Sequence, residues 1–355
     1  MRPCAEREDL DLPSRWGAVI LGLLAVAAAT RGADAADGRS AAGLSKSLAI
    51  EESRNGAASP HLLPLLDRLA GAQFDDGALR EAAESRRRAL KIALRAYGGA
   101  SSNAANAMTA LADVEILRHR YVDAEPLLTA ALLTLEARLG SDNAALAGPF
   151  AALARVALAR GDLPAAEAWA TRANTIVGRR PAVASEPLRV LGAVYAAEDR
   201  FDDGAGVLRA AIARDRQFHG AFSLESARTL AQLANLLLRA QRFDEALPLI
   251  EQAIAIDQAR LGPTHPLIAD DFADLGLIYA GLGRDADASN ALYFAIDLLE
   301  RGAGEESARL GYAELQIAPI LRRLGKNDDA QVAFKDAKRI LDAAANDERQ
   351  RERQI

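Results

Sequence analysis

Sulfur and aromatic rings are nearly missing from this chain. It holds one cysteine, Cys4, two methionines and two tryptophans, and aromatics make up only 5% of its 355 residues. A single thiol excludes a disulfide framework within the chain and any zinc centre built on several thiolates. Histidine is equally scarce. His61, His119, His219 and His265 are far apart, and none stands four residues from another or beside a Glu-x-x-His pattern, so the usual helical zinc signature is absent. There is no Gly-x-x-x-x-Gly-Lys-Ser/Thr loop, Gly-x-Gly-x-x-Gly turn or Gly-x-Ser-x-Gly elbow. Net charge is −6 with no basic block, which argues against nucleic acid as the ligand. The expectation is a protein without catalysis, cofactor or metal. Half of the residues are nevertheless hydrophobic, mostly small or aliphatic, which suits many modest helix–helix contacts rather than one large core.

What is present is a repeat. Leu230 to Gly262 reads as two helical stretches, Leu230–Ala240 and Glu245–Leu261, joined by the polar turn Gln241–Asp244. Leu230, Leu233, Ala234 and Leu237 share one face of the first, at offsets of three and four. Ala246, Leu249, Ile250, Ala253, Ile254 and Ile256 form a stripe on the second. The second-helix alanine recurs as Ala89, Ala131, Ala173, Ala211, Ala253, Ala295 and Ala337, at intervals of 42 except for one of 38. A small residue keeps the same phase seven positions earlier, from Ala82 to Ala330. A closing glycine follows nine positions after the alanine, at Gly98, Gly140, Gly220, Gly262 and Gly304, but only five after Ala173, at Gly178. Four residues are about one helical turn, so the third copy has lost one turn of its second helix. Such hairpins cannot bury both faces alone and must stack on one another.

These positions resemble the tetratricopeptide repeat. The sixth copy carries Phe272, Leu275, Gly276, Tyr279, Ala288 and Ala295, and the fourth Leu188, Leu191, Gly192, Tyr195, Phe201 and Ala211. The 42-residue period, the Ala-x-Pro-Leu starts at Ala124–Leu127 and Ala246–Leu249, and LGPTHP at Leu261–Pro266 are similar to the kinesin-light-chain-like variant. The resemblance spans about residues 60–345 and implies an all-α, right-handed superhelical solenoid of about seven antiparallel helix-turn-helix repeats. It departs from the pattern at the ends: Gln73 and Arg86 occupy apolar positions, and Pro319 lies inside the last first helix. End repeats are expected to be atypical because one face meets water. Acidic clusters at Asp75-Asp76, Asp202-Asp203, Asp285 with Asp287 and Asp328-Asp329 fall mostly where second helices begin, and read as helix caps rather than metal ligands.

The resemblance also implies a non-catalytic scaffold whose first helices line a concave groove that holds a protein or extended peptide. A peptide-responsive sensor, or the recognition subunit of a separately encoded enzyme, are the alternatives. First-helix residues off the buried stripe are the candidates: Arg155, Arg189, Arg228, Asn235 and Arg239, with Arg68, Asp113, Asp270, Asp274, Arg322 and Arg323 in similar places. The four central arginines read as a basic strip. Guanidinium forks suit carboxylates, so an acidic or C-terminal peptide is the expected partner. Ala231 stands where the family's chaperone-binding clamp needs a lysine, which disfavours chaperone tails.

The N-terminal region is different material. Trp16–Ala29 is an uncharged apolar run between Arg15 and Arg31. It is short for a membrane span and suited to a signal-peptide core, with Ala33-Asp34-Ala35 as a cleavage site. Glu6, Glu8, Asp9 and Asp11 ahead of it are unusual for an export signal, so an uncleaved anchor is the second reading of residues 1–35. Both readings put the remainder outside the cytoplasm, in the periplasm or secreted, and make any membrane contact a matter of this segment. Residues 36–59 read as a flexible linker with a short helix at Leu44–Ser53, and 346–355 as a charged tail.

Overall fold

A computed structural model describes residues 40–178, 185–303 and 308–352. The apolar segment, its cleavage site and Gly304 lie outside them. Among the described residues every regular element is helical, and no helix is long and apolar enough to cross a membrane. They divide into two compact units, one ending at Ala240 and the other beginning at Gln241.

The first unit opens with α1 (Ala41–Asn55), followed by hairpins α2 (Leu63–Asp75) with α3 (Leu79–Tyr97), α4 (Ser102–Leu117) with α5 (Tyr121–Leu139), α6 (Ala147–Ala159) with α7 (Leu163–Gly178) and α8 (Glu186–Ala197) with α9 (Phe201–Phe218), and then α10 (Leu224–Arg239). The second contains α11 (Phe243–Leu261), the hairpin α12 (Ala269–Gly281) with α13 (Asp285–Ala303), and the hairpin α14 (Ala308–Arg323) with α15 (Asn327–Glu352). Within each unit the partners of a hairpin pack together, and each hairpin packs on the next. This is the stacked helix-turn-helix architecture that the repeat implies. The second helix of the third copy, α7, is described over 16 residues to Gly178, and α3, α5 and α11 over 19.

The phase-keeping alanines show why the hairpins close. Ala82, Ala124, Ala166, Ala246, Ala288 and Ala330 are all fully buried, and so are Ala131, Ala173, Ala211, Ala253, Ala295 and Ala337. Their small side chains let neighbouring backbones approach. In the fourth hairpin the approach is closer still: a Cβ added to Gly192 would lie 2.5 Å from Leu208 Cγ.

Every hairpin turn passes through the left-handed region at one register position. Gly77, Gly161, Gly283 and Gly325 adopt it without strain, whereas His119 (φ 57°), Asp199 (φ 58°) and Gln241 (φ 57°) do so with a side chain. His119 therefore holds a turn, and its Nδ1 lies 2.8 Å from the Tyr121 hydroxyl.

Several details differ from the sequence expectation. Serines cap first helices: Ser101 accepts from the Ala104 N–H at 3.1 Å and Ser223 from the Ser226 N–H at 3.2 Å. The Ser223 cap starts α10 at Leu224, six residues before the apolar periodicity begins. Of the acids at second-helix starts, Asp162 caps α7, accepting from the Ala165 N–H at 3.1 Å. Elsewhere the guanidinium of the N-cap arginine binds the acid three residues on, as Arg120–Asp123 at 2.6 Å, Arg200–Asp203 at 3.0 Å and Arg242–Glu245 at 2.7 Å. The short helix expected at Leu44–Ser53 runs from Ala41 to Asn55, and rather than lying in a flexible linker its Leu44 and Leu48 join Leu62, Leu66, Leu69 and Ile92 in one buried cluster. The first hairpin thus meets α1 rather than water. Gln73 and Arg86 find polar partners there, Ser85 at 2.7 Å and Asp67.

Candidate functional site

The first helices α4, α6, α8 and α10 contact one another directly, because the repeat sets equivalent positions side by side. Asp113 on α4 and Arg155 on α6 are 42 residues apart and form an ion pair. Arg155 reaches on to Glu186 of α8, Nε to Oε1 at 3.4 Å. Glu186 receives Arg189 through Nε at 3.0 Å and again through Nη2. Arg189 Nη1 then contacts Thr229 Oγ1 of α10 at 3.4 Å and lies 3.8 Å from Asp215 Oδ2 of α9. Thr229 donates to Asp215 at 2.6 Å. Acids and bases therefore alternate in one ladder across four consecutive hairpin positions.

That ladder revises the basic strip. Arg155 is half-buried between two carboxylates. Arg189 is not a groove residue open to a ligand, since its side chain is only 9% exposed and its guanidinium is committed to Glu186, Thr229 and the fully buried Asp215. Arg239 is exposed and pairs with Asp199 at 3.7 Å. Asn235 is half-buried at the register position that Asp113 and Arg155 hold in earlier hairpins. Arg228 is exposed, and among the described residues its guanidinium faces no acid within ion-pair distance. It stands 5.8 Å from the centroid of the Phe74 ring on α2. That cation–π contact joins residues 154 positions apart, so the first-helix face of this unit curls until its two ends meet.

The electrostatics follow from this curvature. Asp113 is 47% exposed, yet burial among the surrounding walls pushes its carboxyl up, against the pull of Arg155. Burial also acts upward on Glu186, but the charges of Arg189 and Arg155 and the Arg189 hydrogen bond outweigh it and hold the carboxyl below its usual value. Burial lowers Arg86, with Asp113 partly opposing. Beside Arg86, between the first two hairpins, a cavity of about 380 Å³ opens, lined by Asp67, Tyr97, Asn103, Asn106 and small apolar residues. Arg86 Nε is buried there without a hydrogen-bond partner among the described residues. No group of three or more His, Cys, Asp or Glu side chains among the described residues is placed to hold a metal ion.

Glu186 and Asp215 are the residues that the sequence reading missed. Glu186 stands 42 residues before Arg228, so the register alone marks it as a first-helix face residue. Asp215 lies on a second helix and occupies a position that is apolar in most other copies.

Stacked hairpins whose first helices contact one another in register define an all-helical repeat protein. The model of the tetratricopeptide repeat family matches residues 184–259 and 227–301. That region carries tetratricopeptide repeats, and the chain is a tetratricopeptide-repeat protein whose unit recurs every 42 residues. None of the curated proteins matches it. Among solved structures it is similar to a Rap protein complexed with Competence and Sporulation Factor, with a TM-score of 0.66 at 13% identity over 85% of this chain and 81% of that one. It is also similar to aspartyl phosphate phosphatase F from Bacillus subtilis, with a TM-score of 0.56 at 12% identity over 82% and 73%. The putative kinesin light chain repeats of Podosopora anserina match with a TM-score of 0.42 at 19% identity over 56% and 96%. At these identities the likeness concerns the fold.

Proposed function

We propose that the first unit holds an extended peptide or protein segment along the face of α4, α6, α8 and α10, as a scaffold without catalysis of its own. The observation that carries this reading is the charge ladder, beside which the exposed Arg228 guanidinium stands against the Phe74 ring, its charge acting on Glu186 but with no carboxylate among the described residues within ion-pair distance. An acidic side chain or C-terminal carboxylate of the ligand takes that place. The Asp113–Arg155 and Glu186–Arg189 pairs flank it and set where further charges are accepted. A preformed face of this kind lowers the ordering penalty of binding.

The test is affinity capture with the full chain as bait, beside a variant carrying Arg228→Glu and Arg239→Glu. Both side chains are exposed, so circular dichroism should show an unchanged fold. A partner kept by the wild type and lost by the variant supports the reading. One held equally by both removes the site, and no retained partner removes the scaffold.

The contact of Arg228 with Phe74 also supports a second reading, a peptide-responsive sensor. A ligand that takes Arg228 releases Phe74, and the first unit opens. Small-angle scattering with and without ligand distinguishes the two. From the apolar run Trp16–Ala29 we further propose export, to the periplasm or beyond, with membrane anchoring by that run as the alternative; fractionation with N-terminal sequencing checks both location and cleavage.

A further inference from the structure

The joint between the first two hairpins lacks the side chains that fill other joints. The position late in each second helix meets one early in the next first helix. In register these pairs are Leu135 with Pro149, Val177 with Pro187, Asp215 with Thr229, and Leu299 with Ala313. Leu135, Val177 and Leu299 are buried, and Thr229 donates to Asp215 at 2.6 Å. At the first joint both places hold alanine, Ala93 of α3 and Ala107 of α4. Both line the cavity of about 380 Å³ beside Arg86, which stands where other joints are filled by a side chain.

The walls of this cavity differ in chemistry. Ala89 and Ala93 of α3 are buried and form an apolar floor, whereas Asp67 of α2 and Asn103 and Asn106 of α4 are exposed at the mouth. Arg86 holds the register position of Leu128, Leu208, Ile250 and Leu292, all buried. Its guanidinium is bound to Asp67, and its Nε is buried with no hydrogen-bond partner among the described residues. The mouth belongs to the first-helix face. Asn106 holds the register position of Glu186 and Arg228, and Asp113, where the ladder begins, lies about two turns further along the same helix.

We propose that this pocket anchors one bulky apolar side chain of the peptide segment held along that face, with the Asn103 and Asn106 amides hydrogen-bonding the ligand backbone beside it. The proposal rests on the reading of the face as a peptide-binding one. The volume falls within the usual range of ligand pockets, about 300–1,000 Å³. The two asparagines stand one turn apart on α4, so both amides serve the same stretch of ligand. A neutral group suits the pocket better than an anion, because Asp67 already holds the Arg86 guanidinium and the charge of Asp113 acts on it as well. Burying an apolar side chain between the alanine walls takes apolar surface of both partners out of water, and a few such buried anchors carry most of the energy of an interface.

The test titrates the full chain, with methyl-labelled alanine, against N-acetylphenylalanine methylamide and against its glycine analogue, which has the same amides and no side chain. The phenylalanine probe should shift the Ala89 and Ala107 methyl resonances saturably, and the glycine probe should leave them in place. Ala93→Leu copies Leu135 and should weaken the phenylalanine probe by about tenfold or more. A phenylalanine probe that moves neither resonance, or that binds Ala93→Leu as well as the wild type, would overturn the proposal. So would tighter binding of phenylacetate than of the amide, which assigns the pocket to a free aromatic acid. The comparison of the two amide probes needs no variant. Neither probe is long enough to reach along the ladder, so their failure removes the pocket alone, whereas the absence of any captured partner removes the scaffold reading.

Discussion

Arg189 separates a structural role from a binding role. Its side chain is 9% exposed and its guanidinium lies between Glu186 and the fully buried Asp215. Replacing it by alanine leaves Asp215 with the Thr229 hydroxyl, and leaves Glu186 to Arg155 at 3.4 Å. Removing one partner of a buried ion pair costs about 3–5 kcal/mol, chiefly because the remaining charge is stranded. With about 2–4 °C of melting temperature per kcal/mol for a unit of this size, Arg189→Ala should lower the first unit's transition by roughly 6–20 °C. Arg228→Ala, at an exposed position, should stay within about 0.5 kcal/mol of wild type.

A triple variant tests the cause. Arg189→Ala, Asp215→Leu and Thr229→Ala together give this joint the residue types of other copies, Ala151, Leu135 and Ala107. Apolar replacement of a whole buried polar group is often neutral, so the triple variant should recover most of what the single one loses. Far-ultraviolet circular dichroism melts of the full chain measure all three. If Arg189→Ala melts within about 2 °C of wild type, the buried ladder carries no stability and the argument is wrong.

Other outcomes follow from named contacts. Gly192→Ala drives a Cβ into Leu208 at 2.5 Å and should cost about 1–3 kcal/mol in a chemical denaturation curve. Gln241→Gly relieves a left-handed turn residue (φ 57°) and should stabilise by up to about 1 kcal/mol, unless the freedom that glycine adds to the unfolded chain cancels the gain. For a captured acidic partner, raising salt from about 0.1 M to about 1 M should weaken binding several-fold, read by calorimetry, because exposed charge pairs are screened.

The repeat and its phase were legible because packing demands small residues at fixed intervals. Ala124, Ala166 and Ala253 are fully buried where the period places them. What escaped depends on weaker signals. The helix at Leu44–Ser53 was legible but its docking on the first hairpin was not, because α1 offers only Leu44 and Leu48 as buried anchors in a segment rich in alanine, glycine and serine. The left-handed turns were hidden because three of the seven carry His119, Asp199 and Gln241 instead of glycine. The arginines were found but their pairing was not, since Asp113, Glu186 and Asp215 come from three hairpins and meet only after stacking.

The alternating ladder sets a rule for any chain laid across it. Packed helices lie about 8–10 Å apart, and an extended peptide advances about 3.3 Å per residue. On the proposed reading a ligand meets Asp113 of α4, Arg155 of α6 and Glu186 of α8 about three of its residues apart, so two peptides of identical composition but shifted charge spacing should be told apart by the face.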